Sequence, residues 1–195
     1  MRRALRHLGC DNRGATAIEY AFVLPILMLI VMGTGYFGQM FYGRALLNGA
    51  VRQAARDATL EDASTTTLDQ NVKNVISPAL PGVTVTSTRK AYYDFTDIGR
   101  AEKWTDSNNN RVCDNGEPYT DENGDGSWNA DIGEAGNGDA GDVILYTVTA
   151  TYSPLFNVPF MRNMWGRVSI TSSAIRRNQP WAAQTAYGSA TKTCS

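Results

Sequence analysis

The sequence predicts an α+β protein: a long N-terminal transmembrane α-helix continues into a small domain with an antiparallel sheet of about three strands and an acidic loop insertion. Residues 15–42 carry a single charge, Glu19, and 21–32 are apolar throughout apart from Pro25. Later runs rich in β-branched residues have the pattern of strands. Between the first two of those runs lies a stretch, 106–142, with ten acidic residues and one basic residue, Arg111.

The apolar segment is long enough to cross a bilayer, which takes about 20 mainly apolar residues at 1.5 Å rise each. Arg2, Arg3, Arg6 and Arg13 precede it against a single Asp11, so the positive-inside bias keeps the N-terminus in the cytoplasm. A secretory signal peptide shares the basic start. Its apolar core is shorter, however, and here no A-x-A-like site followed by polar sequence closes the run. The small residue, Gly14, comes before the apolar stretch instead.

Pro25 removes a backbone hydrogen bond and is expected to bend the helix, which bilayer helices tolerate. Gly33, Gly35, Gly38 and Gly43 in its outer half permit close helix approach or local softening. Beyond Tyr42 the pattern becomes amphipathic. Leu47, Val51, Ala54 and Ala58 recur at helical spacing, and Arg44, Asn48, Arg52 and Arg56 form a second stripe, read as a solvated basic face in preference to a lipid-recognition site.

Residues 59–67 are polar and predict a linker. A short helix over 68–76 follows, with Leu68, Val72, Val75 and Ile76 on one side, stopped by Pro78 and Pro81-Gly82. Strands are predicted over 83–95, 142–153 and 167–178. Together with the end of the long helix they make a helix-on-sheet domain. The connection 154–166 is apolar for a loop. It covers the sheet or meets a membrane or partner, and burial in its own domain is the preferred reading.

The acidic stretch contains a repeat. Asp106, Asn108 and Asn110 correspond to Asp121, Asn123 and Asp125, and Asp114, Gly116 and Glu117 correspond to Asp131, Gly133 and Glu134 after a two-residue insertion. Alternating Asp and Asn place oxygens on one side of a tight loop. That suits Ca²⁺, a hard cation that takes 6–8 oxygen ligands. In the first copy Asp106, Asn108, Asn110, the Val112 carbonyl, Asp114 and Glu117 fall at positions 1, 3, 5, 7, 9 and 12 of an EF-hand loop. Arg111 stands where that loop has glycine. The second copy, with Asp121, Asn123, Asp125 and Ser127, has the glycine, Gly126, but Asp131 and Glu134 compete as its closing carboxylate. Neither copy has flanking helices in the sequence pattern, so the resemblance is to helix-free, EF-loop-like calcium repeats. The competing interpretation is a flexible, solvated acidic loop. The stretch holds no histidine, which disfavours a transition metal, and Mg²⁺ prefers to retain its water.

Enzymatic chemistry has little to stand on. The one histidine is His7, ahead of the apolar run, and no Ser-His or Cys-His pair or phosphate-binding Gly-Lys-Ser/Thr motif appears. The net charge of −1 argues against nucleic acid as a partner.

At RGATAIEYAFVLPILML, continued by FGQMFYGRALLNGAVRQAARDAT, the chain resembles the TadE-type minor pseudopilins of Tad (tight adherence, Flp) pilus systems, over residues 13–58. The resemblance implies a prepilin-type leader over 1–14, cut by a prepilin peptidase between Gly14 and Ala15. A long helix over 15–58 and a periplasmic head over 59–195 follow, with 106–142 as an insertion. Glu19 becomes the fifth mature residue and Tyr20 the sixth. In that family the glutamate is thought to meet a neighbouring subunit's new N-terminal amine, here that of Ala15. On physics alone Glu19 equally snorkels to the interface and favours the positive end of the helix dipole. Implied partners are the peptidase, other Tad pilins and pseudopilins, the inner-membrane assembly platform and membrane lipid. The implied location is the inner membrane, single-pass, with the C-terminus periplasmic and entry into an extracellular pilus as a further step. Arg177-Asn178-Gln179-Pro180-Trp181 also resembles the end of a strand in related Tad-type chains. Cys10 leaves with the leader, so in an oxidising periplasm Cys113 and Cys194 are expected to pair, two free thiols being the alternative. The alternative function is an unprocessed inner-membrane calcium-binding sensor or adhesion module.

Overall fold

A single helix, α1, runs from Arg13 to Asp57 in the computed structural model, which describes residues 13–58, 64–155, 166–180 and 182–195. The leader up to residue 12, most of the expected linker, the core of the apolar 154–166 connection and Trp181 lie outside the described residues. Pro25 sits inside α1 without ending it. The two halves of this helix have opposite surroundings. Ile18, Phe22, Leu24, Leu27, Leu29 and Val31 are exposed, and none of the apolar window is buried against the other described residues. From Leu47 onward, Leu47, Val51, Ala54, Ala55 and Ala58 are buried, as the amphipathic pattern predicts.

What they are buried against is a second helix and a sheet. Helix α2, Thr65–Ile76, starts three residues before the expected boundary and turns Leu68, Val72 and Ile76 inward. Val75 is 49% exposed, because it lies at the margin of the stripe. Strands β1 (Thr84–Tyr92), β4 (Val143–Tyr152) and β5 (Val168–Arg177) are the three predicted from the sequence, all antiparallel. β1 ends earlier than expected: Asp94 caps a 3₁₀ turn, Phe95–Asp97, with Asp97 returning a bond to its backbone. Three short strands were not anticipated. β3 (Glu134–Ala135) extends the main sheet to the order β3-β1-β4-β5, and β2 (Pro118–Asp121) pairs with β6 (Ala190–Thr193) as a separate ribbon.

The sheet has one apolar face and one hydroxyl face. Tyr146, Val148, Ala150, Tyr152 and Ile170 join α1 and α2 in the main core. On the other face Thr84, Thr86 and Thr88 lie opposite Thr151, Thr149 and Thr147, which lie opposite Ser169, Thr171 and Ser173. Threonine supplies the β-branched shape that a strand favours while leaving the solvent side polar. The hydroxyls interact laterally, Thr149 with Thr171 at 3.1 Å. A smaller cluster, Tyr92, Ile132 and Val143, fastens the acidic insertion to the end of the sheet.

One polar bolt fixes α2 to the sheet. Asp69 accepts from the Ser87 hydroxyl and the Tyr146 hydroxyl, each at 2.6 Å, and from both terminal nitrogens of Arg89, whose guanidinium stacks on the Tyr146 ring. Burial pushes the Asp69 carboxyl up. The hydrogen bonds from Arg89, Ser87 and Tyr146 together outweigh it and hold the group below the ordinary aspartate range. A carboxyl depressed by folding adds stability above its unfolded pKa and loses it as the pH falls through the folded one. Stability measured from about pH 5 to pH 2 is therefore expected to decline less steeply in Asp69→Asn than in the wild type. Parallel curves would mean that the bolt contributes nothing that depends on charge.

Candidate functional site: two acidic loops and the strand that spans them

The first loop winds around Asp106. Its carboxylate accepts from the backbone N–H of Asn110 at 3.1 Å and of Arg111 at 2.8 Å. The Asn108 side-chain oxygen also accepts from Asn110 N–H, and the Asn110 oxygen from Val112 N–H. These bonds bend the chain so that the amide groups of Asn108 and Asn110 converge on one Asp114 oxygen, at 2.6 and 2.7 Å. Glu117 closes the turn, accepting from Ser107 N–H at 2.7 Å and Asp114 N–H at 3.0 Å.

The turn needs positive φ at its fourth and sixth residues. The second loop meets this with Gly124 and Gly126, and the first with Asn109 at φ 59° and Arg111 at φ 66°. Asparagine tolerates the left-handed region, but an ordinary side chain there costs roughly 1–2 kcal/mol. Arg111→Gly is accordingly expected to stabilise the head by about 0.5–1 kcal/mol, the gain being trimmed by the extra freedom of an unfolded glycine. Urea unfolding checks it, and a destabilised variant would show that the arginine side chain is itself a support.

The second loop repeats the wiring. Asp121 accepts from Gly124 N–H at 2.8 Å and Gly126 N–H at 3.2 Å, Asn123 from Asp125 N–H, and Asp125 from Ser127 N–H. The Asn129 amide donates to Asp125 and to the Ser127 carbonyl. The closing carboxylate comes from outside the repeat. Glu102, fully buried, accepts from the N–H of Glu122 at 2.7 Å and of Asn129 at 3.0 Å, the second and ninth positions of the loop. Ser107 and Asp114, which bond to Glu117, occupy those same positions in the first loop. Asp131 and Glu134, the sequence candidates, are placed elsewhere. Asp131 binds Lys90 at 2.6 Å and the Tyr92 hydroxyl, and these bonds hold it below the ordinary range against the effect of burial. Glu134 lies in β3, raised by burial and by the charges of Asp142, Asp139 and Asp125. The signal for Glu102 was faint: a lone acid ahead of the loop, flanked by Ala101 and Lys103.

Among the described residues no three Asp, Glu, His or Cys side chains are grouped as a metal site by themselves. The side chains of the first loop, Asp106, Asn108, Asn110 and Asp114, carry carboxylate and amide oxygens, the donor type that a hard cation takes from a protein, although Asn108 and Asn110 turn their amide nitrogens to Asp114.

β6 joins the loops. Cys194, just past its end, is bonded to Cys113 in the first loop, with Cα atoms 5.9 Å apart, and backbone bonds link Gly116 to Cys194 and Cys194 to Glu117. Lys192 pairs with Tyr119 in the ribbon and so shares a face with Asp121, two residues on. Its ammonium lies 2.6 Å from the Asp121 carboxylate.

At the other end of the molecule, Gly14 sits in the first turn of α1, and a Cβ placed there would meet nothing within 4 Å. Glu19 and Tyr20 are exposed on the same helix. Of Ala15 only the helical backbone is described. Comparison with known proteins bears on this end. Residues 14–56 match the model of a family described as TadE-like protein. No curated protein and no solved structure matches the chain. The match spans α1, including its buried positions Leu47, Val51, Ala54 and Ala55, and takes in no part of α2 or the sheet.

Proposed function

We infer that this chain, TadE-like over residues 14–56, is a structural component of a Tad (Flp) pilus system: a minor pseudopilin held in the inner membrane by α1 and processed after Gly14. The observation that carries the reading is the divided character of α1. Its first half presents apolar side chains that nothing among the described residues covers, and its second half is an integral part of the head's core. Such a helix can rest in lipid and afterwards exchange lipid for the helices of other subunits without disturbing the head. The Arg-rich segment before it favours a cytoplasmic N-terminus and a periplasmic head. Prepilin peptidase, the other pilins and pseudopilins and the assembly platform are the corresponding partners.

The N-terminus of the protein recovered from its native membrane tests the reading. A chain beginning Ala15-Thr16 supports it; an intact Met1 overturns it in favour of an unprocessed, permanently anchored module. Within a processed chain, Glu19→Ala is expected to insert normally and fail to co-purify with pilus components. Undiminished co-purification would return Glu19 to the role of an interfacial side chain.

The acidic insertion is proposed to bind Ca²⁺ as a stiffener of the head. In the first loop Asp106, Asn108, Asn110, the Val112 carbonyl, Asp114 and Glu117 are the ligands. Supporting this, the loop's three carboxylates have no lysine or arginine partner among the described residues, whereas Asp69, Asp97, Asp121, Glu122 and Asp131 each have one. Isothermal titration of the full-length protein in nanodiscs is expected to show chelator-reversible Ca²⁺ uptake. Flat heats at millimolar metal would refute it.

A further inference from the structure

We propose that Lys192 is the built-in cation of the second loop, so that this loop is ordered without metal and the first alone depends on Ca²⁺. The two loops share one hydrogen-bond plan: a first aspartate gathers two backbone N–H groups from the turn, and a glutamate gathers N–H groups from the second and ninth positions. They differ in what meets the first aspartate. Asp106 has no cationic partner among the described residues, and it stands at an exposed turn. Asp121 is 3% exposed and touches the Lys192 ammonium at 2.6 Å. That ammonium also lies over the turn itself, where a Cβ on Gly126 would come within 3.2 Å of it.

Burying a carboxylate demands a compensating charge or several donors. Asp121 receives both kinds of support from within the chain, and a metal at that corner would have to displace the ammonium. The lysine bond holds the Asp121 carboxyl below its ordinary range, and Lys192 is raised in turn. Its position is set by covalent structure as well. Lys192 is two residues from Cys194, whose disulfide to Cys113 pins β6 against the loops. The pairing of Lys192 with Tyr119 directs it to the same ribbon face as Asp121.

The inference rests on the EF-like reading of both loops, and amide hydrogen exchange on the full-length protein separates the two claims. In chelator, the wild-type amides of Gly124 and Gly126 are expected to be protected and to change little on adding Ca²⁺, while those of Asn110 and Arg111 slow when Ca²⁺ is added. In Lys192→Met the Gly124 and Gly126 amides are expected to exchange about tenfold faster in chelator and to be slowed again by Ca²⁺, with a further equivalent of metal taken up. Lys192→Arg keeps the charge and is expected to behave as wild type, which distinguishes loss of the cation from a folding defect. Unchanged Gly124 and Gly126 exchange in Lys192→Met, or equal Ca²⁺ responses of the two wild-type loops, overturns the proposal. A wild type whose Asn110 and Arg111 amides ignore Ca²⁺ overturns the first-loop assignment and leaves the lysine comparison to be read in chelator alone.

Discussion

Glu102→Ala is expected to destabilise the head by about 3 kcal/mol or more, the largest of the side-chain effects on the insertion. The carboxylate is wholly buried and accepts from Glu122 N–H at 2.7 Å, Asn129 N–H at 3.0 Å and Asn123 N–H at 3.3 Å. Each donor left without a partner away from water costs roughly 1–3 kcal/mol. Alanine would orphan all of these at once and leave a hole. The same residue is fixed through its backbone, with N–H to the Asn129 carbonyl and its own carbonyl accepting from the Trp128 indole. Trp128 packs edge-on against Trp104, ring centres 5.1 Å apart, so tryptophan fluorescence reports this corner directly. Glu102→Gln keeps one acceptor oxygen but turns an amide NH₂ toward a backbone donor, and its loss is expected to be intermediate. Urea unfolding gives the values. A deficit under about 1 kcal/mol for alanine would show that water replaces the carboxylate and that the second loop closes by another route.

This carboxylate also shows where sequence reasoning runs out. The anchor, the amphipathic continuation and the principal strands were legible because their cause is periodic: an apolar run of membrane length, a 3.6-residue stripe, a two-residue alternation. The loop repeats were legible because their bonds are local, from Asp106 to Arg111 and from Asp121 to Gly126. Glu102 was not, because it reaches 20 residues forward to Glu122 and 27 to Asn129, and no local pattern announces such a partner. Within the repeat the competing closing acids are Asp131 and Glu134, which the fold commits to Lys90 and to β3. β6 escaped notice for a related reason. Its four residues are all exposed, so the tail carries no apolar alternation, and the strand exists because β2 and a disulfide hold it. Arg111 is the reverse case: the sequence flagged it as a misfit for the turn, and the chain adopts the left-handed conformation there regardless.

Removing the disulfide is expected to have the greatest effect of any covalent change in the head. Cys113 and Cys194 are 81 residues apart in sequence. Cross-linking a loop of that size lowers the entropy of the unfolded chain by an amount worth about 4 kcal/mol at 25 °C. The Cys113→Ser, Cys194→Ser variant should lose a comparable stability in urea, with a C-terminus open to proteolysis before the main sheet unfolds. The local part of the loss follows from β6 itself: a two-stranded ribbon is marginal in water, and all four residues of β6 are exposed, so without the bond it detaches from β2. Detachment withdraws Lys192 from Asp121, and the two perturbations then stop being independent. Lys192→Met should open the second loop in the disulfide-bonded protein and add little once the cysteines are gone. Additive effects across that double-mutant cycle would show that Lys192 finds Asp121 without the tether, and that the covalent link stabilises the first loop alone.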